Sequence, residues 1–253
     1  MAAKIMDILS TASTGLLYNL LKQEVFVVYM TVKPVALTIG INQVKEIAMK
    51  TLWTPVAEKK KFITQYLWPS LRIDPVDAAL TEELAGCLRH DAVLRMEDLE
   101  QPGASHEGRM WFSAQALMHA YYYSTADLKN WGVKLIPRQT LYLDTASLLD
   151  GADREHYVQL LEPGSVYSLS YPELLGLMDR YSTVSKAMTR LHLEQQAQQR
   201  AHDRFLLSNP IDRATQFRKQ HATLLSRLTM DVQAMHIKIS RGYYHFLIRN
   251  GLV

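Results

Sequence analysis

Cysteine is almost absent from this 253-residue sequence, which contains only Cys87. A single thiol excludes an intramolecular disulfide, a zinc site built from several cysteines and a CxxC redox motif. This composition fits a reducing cytosol.

Long apolar runs are also missing. The best candidate for a membrane span, residues 25–41, is interrupted by Lys33 and Pro34, whereas a span needs about 20 predominantly apolar residues. No basic stretch followed by an apolar core and a small-residue cleavage site leads the chain, so we expect no signal peptide. We therefore expect a cytoplasmic protein without membrane contact.

The short motifs of common enzyme families do not occur. The sequence has no GxSxG, GxGxxG, GxxxxGK[ST] or HExxH run, and its nine histidines are scattered without the spacing of metal ligands. We predict that the protein is not an enzyme and holds neither a cofactor nor a metal.

Charge is distributed unevenly along the chain. The formal net charge is only +3, yet from Arg180 to the end twelve basic residues face four acidic ones. A basic segment of this kind is typical of a phosphate-binding surface, although a solvated basic face would give the same count.

The spacing of apolar residues near the C-terminus predicts a helix-turn-helix. A short helix has an apolar face, Ser240 can cap a second helix, and that helix has its own apolar face before Asn250-Gly251. The two faces consist of Val232, Ala234, Ile237 and Ile239, then Tyr244, Leu247 and Ile248. The candidate DNA contacts are Ser240, Arg241, Tyr243, His245 and Arg249.

Residues 92–171 have the pattern of a β-domain. Short runs rich in Val, Leu, Tyr and Trp alternate with turn signals such as Pro102-Gly103 and Pro163-Gly164. The clearest predicted strands are Met110–Ser113, Leu117–Tyr123, Gln139–Leu143, His156–Leu161 and Ser165–Ser170. A helix over residues 74–89 precedes this region, and residues 1–60 allow no assignment.

After Tyr171 the period becomes helical. Pro172 suits the first turn of a helix predicted over Glu173–Arg180, and a longer helix is predicted over Thr183–Leu207. The seam of the long helix is Val184, Met188, Leu191, Gln195, Gln198, His202 and Phe205. We interpret this seam as a dimer contact; a solvent-exposed linker helix is the alternative.

Three segments together resemble the Crp/Fnr family of bacterial transcription regulators, in the same order as in that family. WFSAQALMHAYYY (residues 111–123) is similar to a strand-turn-strand of its β-roll, and EHYVQLLEPGSVYSLSYPEL (155–174) to the end of the roll and the connector helix. DRATQFRKQHATLLSRLTMDVQAMHIKIS (212–240) is similar to the segment leading into its helix-turn-helix. The resemblance spans roughly residues 85–250 and is greatest to divergent, short-tailed members from Bacteroidota-type bacteria.

The resemblance implies an α+β fold with an antiparallel, cyclic-nucleotide-binding-like β-roll (a jelly roll), a long connecting helix and a C-terminal helix-turn-helix domain. The domains would be an extension over 1–60, a sensor-type roll over 61–180, a dimerisation helix over 181–207 and a DNA-binding domain over 208–253. The implied function is that of a homodimeric transcription regulator that binds double-stranded DNA.

Several positions depart from the family pattern. Ala116 replaces a glycine of the roll, Gln233 replaces an apolar core residue, and His245 and Phe246 stand where the recognition helix usually has Ser-Arg. An arginine paired with guanine is the commonest specific base contact, so its absence weakens the case for sequence-specific binding. The alternative is therefore a ligand-sensing or protein-interaction module of the same descent that no longer binds DNA.

The resemblance also places Asp144 near the ribose-binding role and Arg154 near the phosphate-binding role of a cyclic-nucleotide site. Glu155 stands where a small hydroxyl residue is expected, and its carboxylate would repel a phosphate. We therefore predict that cyclic AMP does not bind, that Arg154 is a surface ion-pair partner, and that any small-molecule effector is of another, unidentified kind.

Overall fold

The computed structural model describes residues 50–73 and 77–253. Most of the predicted extension, residues 1–49, therefore lies outside the described residues. From Lys50 onward the chain forms one compact unit, and its first strand, β1 (Lys50–Thr51), pairs with a strand of the β-domain.

Two helices precede the β-domain. Helix α1 begins as Val56–Phe62, continues through a π-helical stretch, Ile63–Leu67, and ends as Trp68–Leu71. Helix α2 (Ala78–Cys87) begins at Asp77, whose carboxylate accepts a hydrogen bond from the Ala79 amide at 2.8 Å. The predicted helix over 74–89 is thus present but shorter, and residues 74–76 lie outside the described residues.

Nine strands form two antiparallel sheets in the described residues, which confirms the predicted β-roll. The first sheet has the order β1-β2-β9-β4-β7 and the second the order β3-β8-β5-β6. The remaining strands are β2 (Arg89–Val93), β3 (Asp98–Glu100), β4 (Arg109–Ser113), β5 (Met118–Ser124), β6 (Lys129–Ile136), β7 (Leu141–Tyr142), β8 (Tyr157–Leu160) and β9 (Gly164–Ser170).

The predicted strand over Gln139–Leu143 is too long. Gln139 has a φ of 58° and lies in a turn, so only β7 remains of it. Sequence reasoning also missed β2, β3 and β6. In β6 the apolar residues do not alternate cleanly, because one end is exposed and Gly132 interrupts the pattern.

The helices after the roll lie close to their predicted positions. Ser170 and Glu173 form a capping box at the start of α4 (Tyr171–Arg180), so this helix begins two residues before Glu173. The long helix α5 spans Ser182–Leu206. Helix α3 (Thr145–Asp150) lies between β7 and β8, and α6 (Pro210–Gln220), α7 (Met230–His236) and α8 (Arg241–Arg249) complete the chain.

The buried apolar residues form two clusters. The first joins α1 and α2 to the roll and to the start of α5. The second is built from the C-terminal helices together with Leu117, Leu135 and Leu161 of the roll. The C-terminal helices therefore share a core with the roll. No described helix has both the length and the apolar character needed to cross a membrane.

Candidate nucleic-acid interface and ligand cleft

Helices α7 and α8 form the predicted helix-turn-helix. Thr229 caps α7, and Lys238, with a φ of 50°, lies in the turn that follows. The Ser240 hydroxyl oxygen accepts a hydrogen bond from the Tyr243 amide at 3.2 Å and so caps α8. Ser240 thus has the capping role that its sequence position indicates.

The inner side of α8 is held by a buried polar network. Tyr244 and Leu247 are fully buried, and the Tyr244 hydroxyl donates to Oε1 of Gln233 at 2.9 Å. Nε2 of Gln233 donates to the carbonyls of Leu225 and Leu228 at 3.1 and 3.0 Å. The glutamine that departs from the family pattern therefore links both helices of the motif to the turn before α7.

No other part of the described chain covers the outer side of α8. Arg241, Tyr243, His245 and Arg249 are all exposed, and so is the Phe246 ring, at 52%. The structure thus brings four of the five predicted DNA contacts onto the open side of one helix. Ser240 instead uses its hydroxyl as the cap of that helix.

The two arginines on this surface differ in their surroundings. Nη1 of Arg241 lies 3.2 Å from a carboxylate oxygen of Asp231 in the first turn of α7, although both side chains are well exposed. Among the described residues Arg249 forms no such ion pair, and the same is true of Arg218 and Lys219 in the last turn of α6. Lys219 and Arg249 are exposed and Arg218 is half-buried, and all three offer uncompensated positive charge among the described residues.

Two polar contacts attach the C-terminal helices to the roll. The guanidinium of Arg227 makes a bidentate ion pair with the carboxylate of Glu162, with an Nε to Oε1 distance of 2.7 Å. Nζ of Lys238 donates to the Tyr122 hydroxyl at 2.6 Å. The Arg227 pair lowers the pKa of Glu162, mainly through its hydrogen bonds.

Two buried histidines also meet at this boundary. The rings of His119 and His236 are 5.6 Å apart, and the His236 ring lies against Gly132 of β6, where a Cβ atom would come within 2.4 Å of it. Burial lowers the pKa of His119 to about 4 and holds that of His236 well below its usual value, with His119, His221 and His202 adding to the effect on His236. Both rings are therefore neutral at pH 7.

The seam of α5 faces its own chain rather than open solvent. Val184 and Met188 are buried in the first apolar cluster, and Oε1 of Gln198 accepts from Nζ of Lys134 on β6 at 3.5 Å. Among the apolar residues that motivated the dimer prediction, Val184, Met188 and Leu191 thus pack in the first cluster, and Phe205 packs against the second. The exposed residues of α5 include one large apolar side chain, Leu193, which is 60% exposed.

Two residues of the seam region hold α3 against α5. Nε2 of Gln195 donates to the Leu143 carbonyl, and its Oε1 accepts from the Thr145 hydroxyl, both at 2.7 Å. Since that hydroxyl proton is used, Nδ1 of His192 must donate to the Thr145 oxygen at 3.0 Å, and Nε2 of His192 accepts from Gln196 at 2.8 Å.

Asp144 has a structural role at the start of α3. Its carboxylate accepts from the Ser147 amide at 3.1 Å and caps the helix. The Tyr171 hydroxyl bonds to both backbone groups of Asp144, at 3.2 Å to the amide nitrogen and 3.1 Å to the carbonyl. The position matched to a ribose-binding residue is thus rigidly held.

The prediction that Arg154 lies at the surface is wrong. Its side chain is only 7% exposed, and its Nη1 lies 3.2 Å from Oε1 of buried Glu100. Its Nη2 lies 3.3 Å from Oε2 of Glu107, and its Nε donates to the Ala104 carbonyl at 3.1 Å. Arg154 is indeed an ion-pair partner, but one buried inside the roll, where it is the counter-charge that the described residues offer to Glu100.

A cleft of 690 Å³ opens between the roll, α3 and α5. Asp144 lines this cleft, but Arg154 does not. Its cationic residues are Lys134 and Lys238; its carboxylate residues are Asp144, Asp153, Glu155 and Asp203. This balance of charge is unfavourable for a phosphate. No group of His, Cys, Asp and Glu side chains suited to a metal ion occurs in residues 50–73 and 77–253.

Comparison with known proteins gives structural but not sequence matches. No protein-family model and no curated protein sequence matches the chain. The chain is similar in structure to the c-di-GMP-responsive global regulator CLP from Xanthomonas campestris, with 13% identity and a TM-score of 0.56 over 69% of this chain and 91% of that one.

Two further solved structures agree. A putative transcriptional regulator of the Crp/Fnr family from Eubacterium rectale is 12% identical, with a TM-score of 0.58 over 69% of this chain and 83% of its own. FixK2 from Bradyrhizobium japonicum is 9% identical, with a TM-score of 0.55 over 65% and 86%. The described chain therefore has the fold of Crp/Fnr regulators, with a cyclic-nucleotide-binding-like roll, a long helix and a C-terminal helix-turn-helix.

Proposed function

We propose that this protein is a DNA-binding transcription regulator of the Crp/Fnr type. The observation that carries the proposal is the open face of α8. A capped helix, set by a buried network at a fixed angle to α7, presents Arg241, His245 and Arg249 to solvent. In a helix-turn-helix this second helix enters the major groove, and flanking cations contact phosphates.

The surrounding charge supports the same proposal. Lys219 and Arg249 are exposed, Arg218 is half-buried, and none of the three forms an ion pair with the described residues, so each can neutralise a phosphate on binding. Each neutralised phosphate contributes about −0.9 to the slope of log affinity against log salt concentration. We expect the affinity for duplex DNA to fall steeply with salt.

Homodimerisation is part of the proposal, because two half-sites normally require two recognition helices. The partner would contact the exposed side of α5, where Leu193 lies, since the opposite side packs in the apolar clusters of its own chain. The 690 Å³ cleft is the candidate effector site, with Asp144 at its wall. The functional units would be the roll up to residue 180, the helix over 181–207 and the DNA-binding domain over 208–253.

Arg241 and Arg249 allow a test with matched charge changes. Anisotropy titrations of labelled duplex at several salt concentrations should show weaker binding for Arg249→Ala than for wild type, and a slope shallower by about one. Arg241→Ala should weaken binding to a preferred site by roughly 1–3 kcal/mol if Arg241 contacts a base. If Arg241 contacts phosphate, the substitution should instead make the salt slope shallower.

Lys61→Ala is the control, because it removes one exposed charge from α1 and leaves the C-terminal helices unchanged. It should bind as wild type does. Absence of duplex binding by the wild-type protein at about 50 mM salt, where electrostatic attraction is only weakly screened, would refute the proposed function and favour a module that no longer binds DNA.

A further inference from the structure

The open face of α8 carries an aromatic ring beside its charged residues. Tyr244 and Leu247 are the fully buried residues of this helix, and a helix turns by about 100° per residue. The positions directly opposite them are therefore Gly242 and Arg249, with Phe246 on one side of this line and His245 on the other. All four residues are exposed.

Phe246 has one aromatic neighbour. Its ring lies nearly parallel to that of Tyr243, at an interplanar angle of 13° and a centroid distance of 6.2 Å. Tyr243 is itself 40% exposed. The two rings form one apolar surface about a turn long, which we call the aromatic patch, and it has no cover among the described residues.

Gly242 leaves room beside the aromatic patch. A Cβ atom built on Gly242 would meet nothing within 4 Å, so between Arg241 and Tyr243 this position adds no side chain to the open face. A surface can therefore approach the backbone at Gly242 and contact the Phe246 ring one turn further on.

The charges around the aromatic patch identify the kind of surface that fits it. Arg249 lies beside Phe246, Arg241 lies at the start of the helix and is paired with Asp231 of α7, and α8 itself contains no carboxylate. An apolar ring beside cations complements a polyanion with apolar groups between its phosphates. The major groove has such groups at one kind of base pair, since thymine places a 5-methyl group there.

We propose that Phe246 determines the sequence preference of this protein by contacting thymine 5-methyl groups in the major groove, with Tyr243 supporting its ring. The inference rests on the proposed DNA-binding function and adds the chemistry that the site would recognise. It also accounts for the absence of an arginine at position 246: the protein would recognise the methyl group of thymine there rather than guanine.

The test uses duplexes that differ only in that methyl group. The probes are two labelled 24-base-pair duplexes, one of alternating adenine and thymine, the other of alternating adenine and uracil, titrated at about 50 mM salt. Wild-type protein should bind the thymine duplex about fourfold more tightly for each methyl contacted, the ratio that corresponds to about 0.8 kcal/mol for one buried methyl. A guanine–cytosine duplex should likewise gain affinity on 5-methylation of cytosine.

Phe246→Ala should remove both differences and leave the dependence on salt unchanged. The ring is exposed, so this variant should fold normally, which circular dichroism can verify. Leu252→Ala is the control: it removes an exposed apolar side chain beyond the end of α8 and should preserve the methyl preference.

Two kinds of outcome would overturn the inference, and they have different consequences for the proposed function. Duplex binding with equal affinity for thymine and uracil, or a preference that persists in Phe246→Ala, would refute the role of Phe246 while leaving the DNA-binding function intact. No binding of wild-type protein to any duplex would refute the proposed function as well, and would make a protein partner the occupant of the aromatic patch.

Discussion

Replacing Gln233 by leucine should destabilise the C-terminal helices. The leucine has nearly the same volume but cannot hydrogen-bond, so the buried Tyr244 hydroxyl loses its acceptor and the Leu228 carbonyl loses its donor. The Leu225 carbonyl is less affected, because it also accepts from the Leu228 amide at 3.3 Å.

The size of the effect follows from these two groups. A buried polar group left without a partner costs about 1–3 kcal/mol, and burial of the apolar leucine offsets part of this. We expect Gln233→Leu to lower the free energy of unfolding by about 2–4 kcal/mol, a large part of the total for a typical domain.

A double-mutant cycle separates the hydrogen bond from the general effects of substitution. Tyr244→Phe removes the hydroxyl that Gln233→Leu would leave unpaired, so the double variant should be more stable than the sum of the single effects predicts, by about 1–2 kcal/mol. Urea unfolding of the four proteins, followed by circular dichroism, measures this coupling. Gln199→Leu, at an exposed position of α5, is the control and should change stability by less than about 0.5 kcal/mol.

Strict additivity of Gln233→Leu and Tyr244→Phe would refute this reasoning. It would mean that the Gln233 to Tyr244 hydrogen bond does not contribute, and that the α7 to α8 angle has another origin. The reasoning would also be contradicted if Gln199→Leu changed the stability and Gln233→Leu did not.

Three further predictions concern the boundary with the roll and the proposed dimer. Gly132→Ala should destabilise the protein by about 1–3 kcal/mol in urea unfolding, because its Cβ atom would overlap the His236 ring; a neutral effect would show that the ring can move aside. His236 is neutral when folded but binds a proton below about pH 6.5 when unfolded, so stability should fall as pH decreases through this value. His236→Leu should reduce that slope by about 1.4 kcal/mol per pH unit, and an unchanged slope would contradict the burial of this ring. Leu193→Glu should weaken a dimer formed through the exposed side of α5, as measured by sedimentation equilibrium; a wild-type monomer at tens of micromolar would contradict that dimer.

Features with local causes could be predicted from the sequence. The Ser240 cap depends on one side chain and an amide three residues away, and the period of α5 and α8 depends on neighbours within two turns. These elements lie within two residues of their predicted ends. The alternation of β-prone runs and turns was likewise enough to predict a sandwich or roll, and the family resemblance implied the roll that the two sheets confirm.

Features decided by distant contacts could not be predicted. The periodicity of α5 shows that one side is covered, but not whether the roll or a partner covers it. The burial of Arg154 depends on Glu100, a residue 54 positions earlier in the sequence that lies beside it only after the roll has folded. Gln233 looked like a defect in an apolar core because its partners, two carbonyls and the Tyr244 hydroxyl, are visible only in the structure.

Selection from a random duplex library tests the central claim most directly. Purified protein at a stated, near-physiological salt concentration should enrich a motif of two related half-sites whose centres are about one helical turn, roughly 10 base pairs, apart, because two α8 helices of a dimer would enter successive major grooves. Each half-site should contain adenine–thymine pairs opposite Phe246. Failure to enrich any motif, together with no retention of duplex at about 50 mM salt, would contradict the account that this chain is a DNA-binding regulator.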